Sequence, residues 1–122
     1  MTDSPLEIRE VPGKGRGIFA TQPIESGALI ERTAVLAMPE SELELVRQTQ
    51  LSDYLFAWPL SDEIGEAVVM GRLSLANHAD VPNTEYRRHL DQGLIDWVAL
   101  RPIAAGEELT IRYACPLWFP AV

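Results

Sequence analysis

Three short stretches of the 122-residue chain gather residues that could do chemistry. "GKGRGIFA", residues 13 to 20, puts glycine at every second position: Gly13, Gly15 and Gly17. That spacing lets a backbone come close to a ligand and adopt positive φ. It departs from the G-x-G-x-x-G dinucleotide pattern and no helix is expected after it, so a plain turn is the competing reading. "LANHADVPN", residues 75 to 83, ends a small and apolar run at Asn77-His78 and then bends at Pro82-Asn83. Asn77 can offer an amide donor and an acceptor together, which suits a nucleobase edge or an amino-acid headgroup. Asn83 follows a proline and reads as a turn cap. His78, Asp80 and His89 make a thin metal set, because no third soft ligand accompanies the two histidines, and no metal is expected. "EELTIRYACPLW", residues 107 to 118, ends a strand at Tyr113, whose hydroxyl could stand at a site mouth. The ordinary alternative is a half-buried aromatic with a satisfied hydroxyl. Trp118 either closes a pocket or staples the tail. Cys115 has no assignable partner as a nucleophile, and no nucleophile-elbow pattern is present.

The elements that must position these residues are mostly strands. "FATQPIESGALIE", from 19, and "VALRPIAAGEELTI", from 98, share apolar-Ala-x-x-Pro-Ile-x-x-Gly followed by a strand. Proline ends the first strand by fixing φ, and glycine allows the turn. The same corner is thus used twice, with strand resuming at Ala28 to Leu36 and at Glu108 to Tyr113. "TEYRRHLDQGLIDWVAL" predicts a hairpin, with Ile95, Trp97 and Ala99 alternating with Asp96 and Val98. Its connection, Asp91-Gln92-Gly93, suits a bulged three-residue loop. Residues 40 to 50 are the best helix, with Ser41 as a candidate cap and a thin stripe of Leu43, Leu45 and Val46. Residues 64 to 76 fit either helix or buried strand, and Gly71 weakens both. No linker or domain boundary is seen.

The bulk numbers narrow the classes. The length fits one domain with one real core. Apolar residues are 47% and charged residues 23%, an ordinary soluble composition. No apolar run reaches the roughly 18 residues of a membrane span, and "MTDSPLEIRE" has no signal-peptide character, so a non-secreted protein is expected, cytoplasmic or, with its substrate, in the nucleoid or nucleus. With Cys115 as the only cysteine, an internal disulfide and a multi-cysteine zinc site are excluded. The net charge of −8 argues against direct nucleic-acid binding and would attract a basic protein or peptide. Lys14 stands alone against nine arginines.

Taken in order, the glycine turn, Asn-His-x-x-x-Pro-Asn and Gly-Glu-Glu-Leu-Thr-Ile-x-Tyr resemble the SET-domain protein lysine methyltransferases. "GKGRGIFATQPIESGALI", "LANHADVPN" and "PIAAGEELTIRY" look like three of that family's blocks, and "SDYLFAW" resembles a middle segment of its smallest stand-alone members. The likeness spans roughly residues 6 to 118. It implies a single domain, mainly β with short helices, in a β-clip-like fold of small curved sheets. Its core runs over 6 to 114, with a pseudoknot-like C-terminal threading that no periodicity argument would predict and a flank, 115 to 122, that closes the site. It implies S-adenosylmethionine as methyl donor. Gly15, Arg16 and Gly17 would lie along the donor's methionine portion. Asn77 and His78 would hold its amino group and adenine, and Trp118 would cover the adenine or close the channel. Tyr113 matches the family's catalytic tyrosine, and Tyr54 would also face the lysine channel. The target amine, with a reference pKa near 10.4, must be deprotonated at a cost of about 4 kcal/mol at neutral pH. A narrow apolar channel beside a positive sulfonium lowers that pKa by desolvation and like charge, so no strong general base is needed.

The chain also departs from the pattern. Many members carry a cysteine-rich zinc module after the domain, whereas here "CPLWFPAV" must close the channel alone or with a second subunit, which makes a homodimer the expectation. Leu117 stands where related small members carry an aromatic, and Arg112 brings a charge with no assigned place. Three readings follow: a methyltransferase acting on a basic tail, of a histone, a histone-like protein or a ribosomal protein; an inactive binding module on the same fold; or a β-clip carbohydrate- or protein-binding module that takes no cofactor.

Overall fold

The structure, a computed structural model, describes residues 5–59 and 65–112. Nine strands among these residues form two curled sheets. Strands β1 (Leu6–Val11), β2 (Gly15–Ala20), β6 (Asn77–His78) and β9 (Glu108–Ile111) make a four-stranded sheet in the order β1-β2-β9-β6. Strands β3 (Leu29–Met38), β4 (Leu55–Ala57), β5 (Glu66–Val69), β7 (Thr84–His89) and β8 (Leu94–Ala99) make a five-stranded sheet in the order β4-β5-β3-β8-β7.

Period-two patterning sets the faces. In β8, Ile95, Trp97 and Ala99 turn into the core while Asp96 turns out. They meet Ile18 of β2, Leu73, Ile103, and Leu109 and Ile111 of β9, which together fill the space between the sheets. Fully burying such side chains is worth roughly 1.5–3 kcal/mol each. The hairpin forms as predicted, with His89 opposite Leu94, although its connection is the four residues 90–93 and not three. Gly93, at φ +66°, makes its left-handed step.

The two Pro-Ile-x-x-Gly corners prove to be one device. They grip each other in a near two-fold arrangement in which each residue matches the one 79 positions on. Ile24 and Ile103 exchange two backbone hydrogen bonds of 2.9 Å. The Gly27 amide donates to the Ala99 carbonyl (2.9 Å), and the Gly106 amide donates to the Ala20 carbonyl (2.7 Å). The Ala99 amide donates to Ala28 (3.0 Å), and that of Ala20 donates to Glu107 (2.9 Å). Gly27 and Gly106 sit at φ +82° and +88°, a conformation that costs a β-carbon-bearing residue more.

The remaining expectations need adjustment. The helix α1 covers only Glu40–Val46, and its N-cap is Pro39 with no side-chain cap bond, so Ser41 does not cap it. Glu40 and Glu42 favour the first turn through the helix dipole, and of the expected stripe only Leu43 is buried. The sequence then tightens into a 3-10 turn, Gln50–Tyr54, started by the Thr49 side chain. Residues 65–76 are strand and then a 3-10 turn, Arg72–Leu75, divided at Gly71, which packs close against Thr33 and Glu31. The strand expected to run to Tyr113 is assigned to Ile111.

Candidate active site

The site is built where β9 is clasped from both edges. On one edge β2 pairs antiparallel with it, Ile18 opposite Leu109. On the other, β6 pairs parallel, Asn77 opposite Thr110 and His78 opposite Ile111. The Ala79 amide extends this pairing by donating to the Ile111 carbonyl at 2.9 Å. Parallel neighbours cannot be joined by a hairpin, so the chain between 78 and 108 must travel round the five-stranded sheet before it returns.

Asn77 emerges beside the glycine turn. Its Nδ2 donates to the Arg16 carbonyl at 3.0 Å and to Glu108 Oε2 at 2.7 Å. Gly17 lies against the same pair: a β-carbon there would stand 2.6 Å from Glu108 Oε2 and 2.8 Å from Asn77 Nδ2. The second reason for glycine in this stretch is thus lack of room, while Gly15, at φ +86°, supplies the turn. Arg16 is exposed at the rim. His78 is half-buried, and its Nε2–H donates to Asp80 at 3.1 Å.

Two readings from sequence are corrected here. Asn77 does not offer both amide functions to a ligand, because its NH2 group is already used twice within the protein. Asn83 is no turn cap. It is buried, and it ties the bend to β9. Its Nδ2 donates to the Glu108 carbonyl at 2.8 Å, and its Oδ1 accepts from the Thr110 amide at 2.8 Å. Beside it, Thr84 Oγ1 donates to the Thr110 carbonyl at 2.5 Å and accepts from the Trp97 indole at 2.7 Å. Glu107 also reaches Asn83, at 3.3 Å. Its carboxyl is held below the usual range, first by Arg101 and then by the Ala104 amide. Both glutamates of the Gly-Glu-Glu run therefore serve an asparagine of the bend.

The structure brings the Arg16 carbonyl, Gly17 and Asn77 into contact, with Gly15 at the start of the same strand as Gly17 and His78 directly after Asn77. Tyr54 stands apart from them, half-buried at the end of the 3-10 turn that leads into β4 on the other sheet. Tyr113 and Trp118, with Cys115 and Leu117, lie outside the described residues, as does the threading expected of the C-terminal segment; Arg112, the last residue before them, is exposed. His89 lies on β7, in the other sheet from His78, and bonds Asp96. Among the described residues no three His, Cys, Asp or Glu side chains group as metal ligands. Sequence reasoning missed Glu108, whose only signal was its place one step after Glu107 at the start of a strand.

The chain has known counterparts. The family model for the SET domain matches residues 15–114. The histone-lysine N-methyltransferase, H3 lysine-37 specific, of Schizosaccharomyces pombe is 38% identical over 117 residues, covering 95% of this chain and 78% of that protein. The crystal structure of a candidate histone methyltransferase of Plasmodium falciparum superposes with a TM-score of 0.73 at 21% identity, over 96% of this chain and 99% of that one, a likeness of fold. The chain belongs to the SET-domain protein lysine methyltransferase family.

Proposed function

We propose that this protein transfers a methyl group from S-adenosylmethionine to a lysine side chain of a basic protein. The observation that carries this reading is the meeting of Gly17, the Arg16 carbonyl and Asn77 beside β9. Gly17 has no room for a β-carbon because Glu108 Oε2 and Asn77 Nδ2 crowd it; with that nitrogen used within the protein, Asn77 Oδ1 is the atom that suits an ammonium group. Bound there, S-adenosylmethionine supplies an activated methyl on a positively charged sulfur. The chain's part is to bind and orient. The backbone of Gly15 to Gly17 would lie along the amino-acid portion, and Asn77 and His78 would hold the amino and adenine ends. Trp118 would cover the adenine or close the channel. Tyr113, with Tyr54, would orient the target amine, and alignment of the reacting atoms would do most of the rest.

The net charge of −8 favours a basic tail as substrate, and the named activity of the Schizosaccharomyces relative makes a histone the first candidate. Incubation with radiolabelled S-adenosylmethionine and a panel of histones, histone-like and ribosomal proteins tests the reading: label should appear on lysine of at least one. Donor binding without label on any would leave a binding module, and absence of donor binding would remove the cofactor as well. Tyr113→Phe should lower turnover at least a hundredfold while leaving S-adenosylmethionine affinity within about twofold, a tyrosine's share in orienting a proton-bearing group being of that order. Equal turnover would take Tyr113 out of the chemistry.

A further inference from the structure

Asn77 has one terminal atom facing two acceptors, the Arg16 carbonyl at 3.0 Å and Glu108 Oε2 at 2.7 Å. Only the NH2 group can serve both, so the side chain is locked in one of its two flip states. With the nitrogen turned inward to β9, the oxygen is the part left to meet a ligand, and no described residue donates to it. Remove Glu108, and a single carbonyl remains to choose between the flip states. Resting on the reading above, we propose that Glu108 is a positioning residue for the donor's α-amino group: it holds Asn77 with its oxygen presented to the ammonium. The bond is charge-assisted and part-buried, the kind that orients a partner most firmly. Gly17 gives this pair its room, since any β-carbon at that position would collide with both side chains.

Glu108 acts through Asn77, the residue assigned to the amino group, so its effect should be confined to ligands that carry the amino-acid portion. Equilibrium binding of S-adenosylmethionine and of 5′-methylthioadenosine, which lacks that portion, separates the possibilities. For Glu108→Ala, S-adenosylmethionine should bind at least tenfold more weakly and methylthioadenosine within twofold of wild type. Glu108→Gln, which keeps the shape and one accepting oxygen, should fall between wild type and alanine for S-adenosylmethionine, and its melting temperature reports that the fold is kept. Equal loss for both ligands, or no loss for either, would overturn the assignment and leave Glu108 a strand residue. Wild-type protein that binds neither ligand would overturn the proposed function itself, an outcome visible before any variant is made.

Discussion

Gly17 is required by its neighbours more than by its own backbone. A methyl group there would stand 2.6 Å from Glu108 Oε2 and 2.8 Å from Asn77 Nδ2, so Gly17→Ala must part the two side chains or bend β2. Overpacking of this kind costs about 1–3 kcal/mol, and here it falls on the residues that would meet the donor. Gly17→Ala should therefore lower S-adenosylmethionine affinity at least tenfold, read by calorimetry, while a denaturant melt still shows one cooperative transition. Unchanged affinity would place the donor elsewhere. At this scale the sequence shows the glycines, Asn77 and His78 by type and spacing. It does not show Glu108, because that residue's partner is 31 positions away and a glutamate opening a strand looks like any solvated one. Asn83 misleads for a similar reason: Pro-Asn is a turn pair by local chemistry, and its bonds to β9 are long-range.

Between elements, the outer face of the five-stranded sheet carries one ionic chain across three strands. Asp96 of β8 accepts from Arg32 of β3 at 2.6 and 2.9 Å and from His89 of β7 at 2.8 Å. Arg32 first, and His89 second, hold its carboxyl well below the usual carboxylate range. A depressed pKa stabilises the fold above the unfolded value of about 3.9, and that stabilisation fades as pH falls through 3.9 toward the folded value. Melting temperatures from pH 7 to pH 2 should show Asp96→Asn below wild type at neutral pH, with the two curves converging in acid. Parallel curves would mean that the chain of charges contributes nothing to folding. The alternation of Ile95, Asp96 and Trp97 already predicts which way Asp96 faces. Its partners could not be foreseen, because pairing with β3 is fixed by a bulge between Leu29 and Glu31.

For the molecule as a whole, the edges of the five-stranded sheet close on themselves. Arg88 of β7 donates to the Ala57 carbonyl of β4 at 2.7 Å, and Tyr86 meets Phe56 edge-on with ring centres 5.1 Å apart. The curl leaves β9 and the bend at 77–84 as the joint between the sheets, and Asn83 is its pin. Asn83→Ala would leave the Thr110 amide and the Glu108 carbonyl without their partner, at a cost of about 2–3 kcal/mol. Denaturant titration should show that loss in the midpoint, and a change under 1 kcal/mol would mean that water replaces the pin. The hairpin, each Pro-Ile-x-x-Gly corner taken singly and the position of α1 were legible because each is made of local chemistry, whereas the grip between the two corners was not, since it joins residues such as Ile24 and Ile103, 79 positions apart. The wrapping of residues 77–84 round β9 was not, since strand order depends on partners that periodicity does not name.

The doubled corner also governs when this protein can fold. Six backbone hydrogen bonds tie residues 20–28 to residues 99–107, so the first corner leaves the ribosome with its counterpart not yet made. Until residue 107 has been translated and released, the early strands have no stable resting place, and closure of so long a loop is slow. Closure of the corner thus waits on the synthesis of residue 107, and until then the nascent chain carries apolar strands exposed to whatever holds it meanwhile.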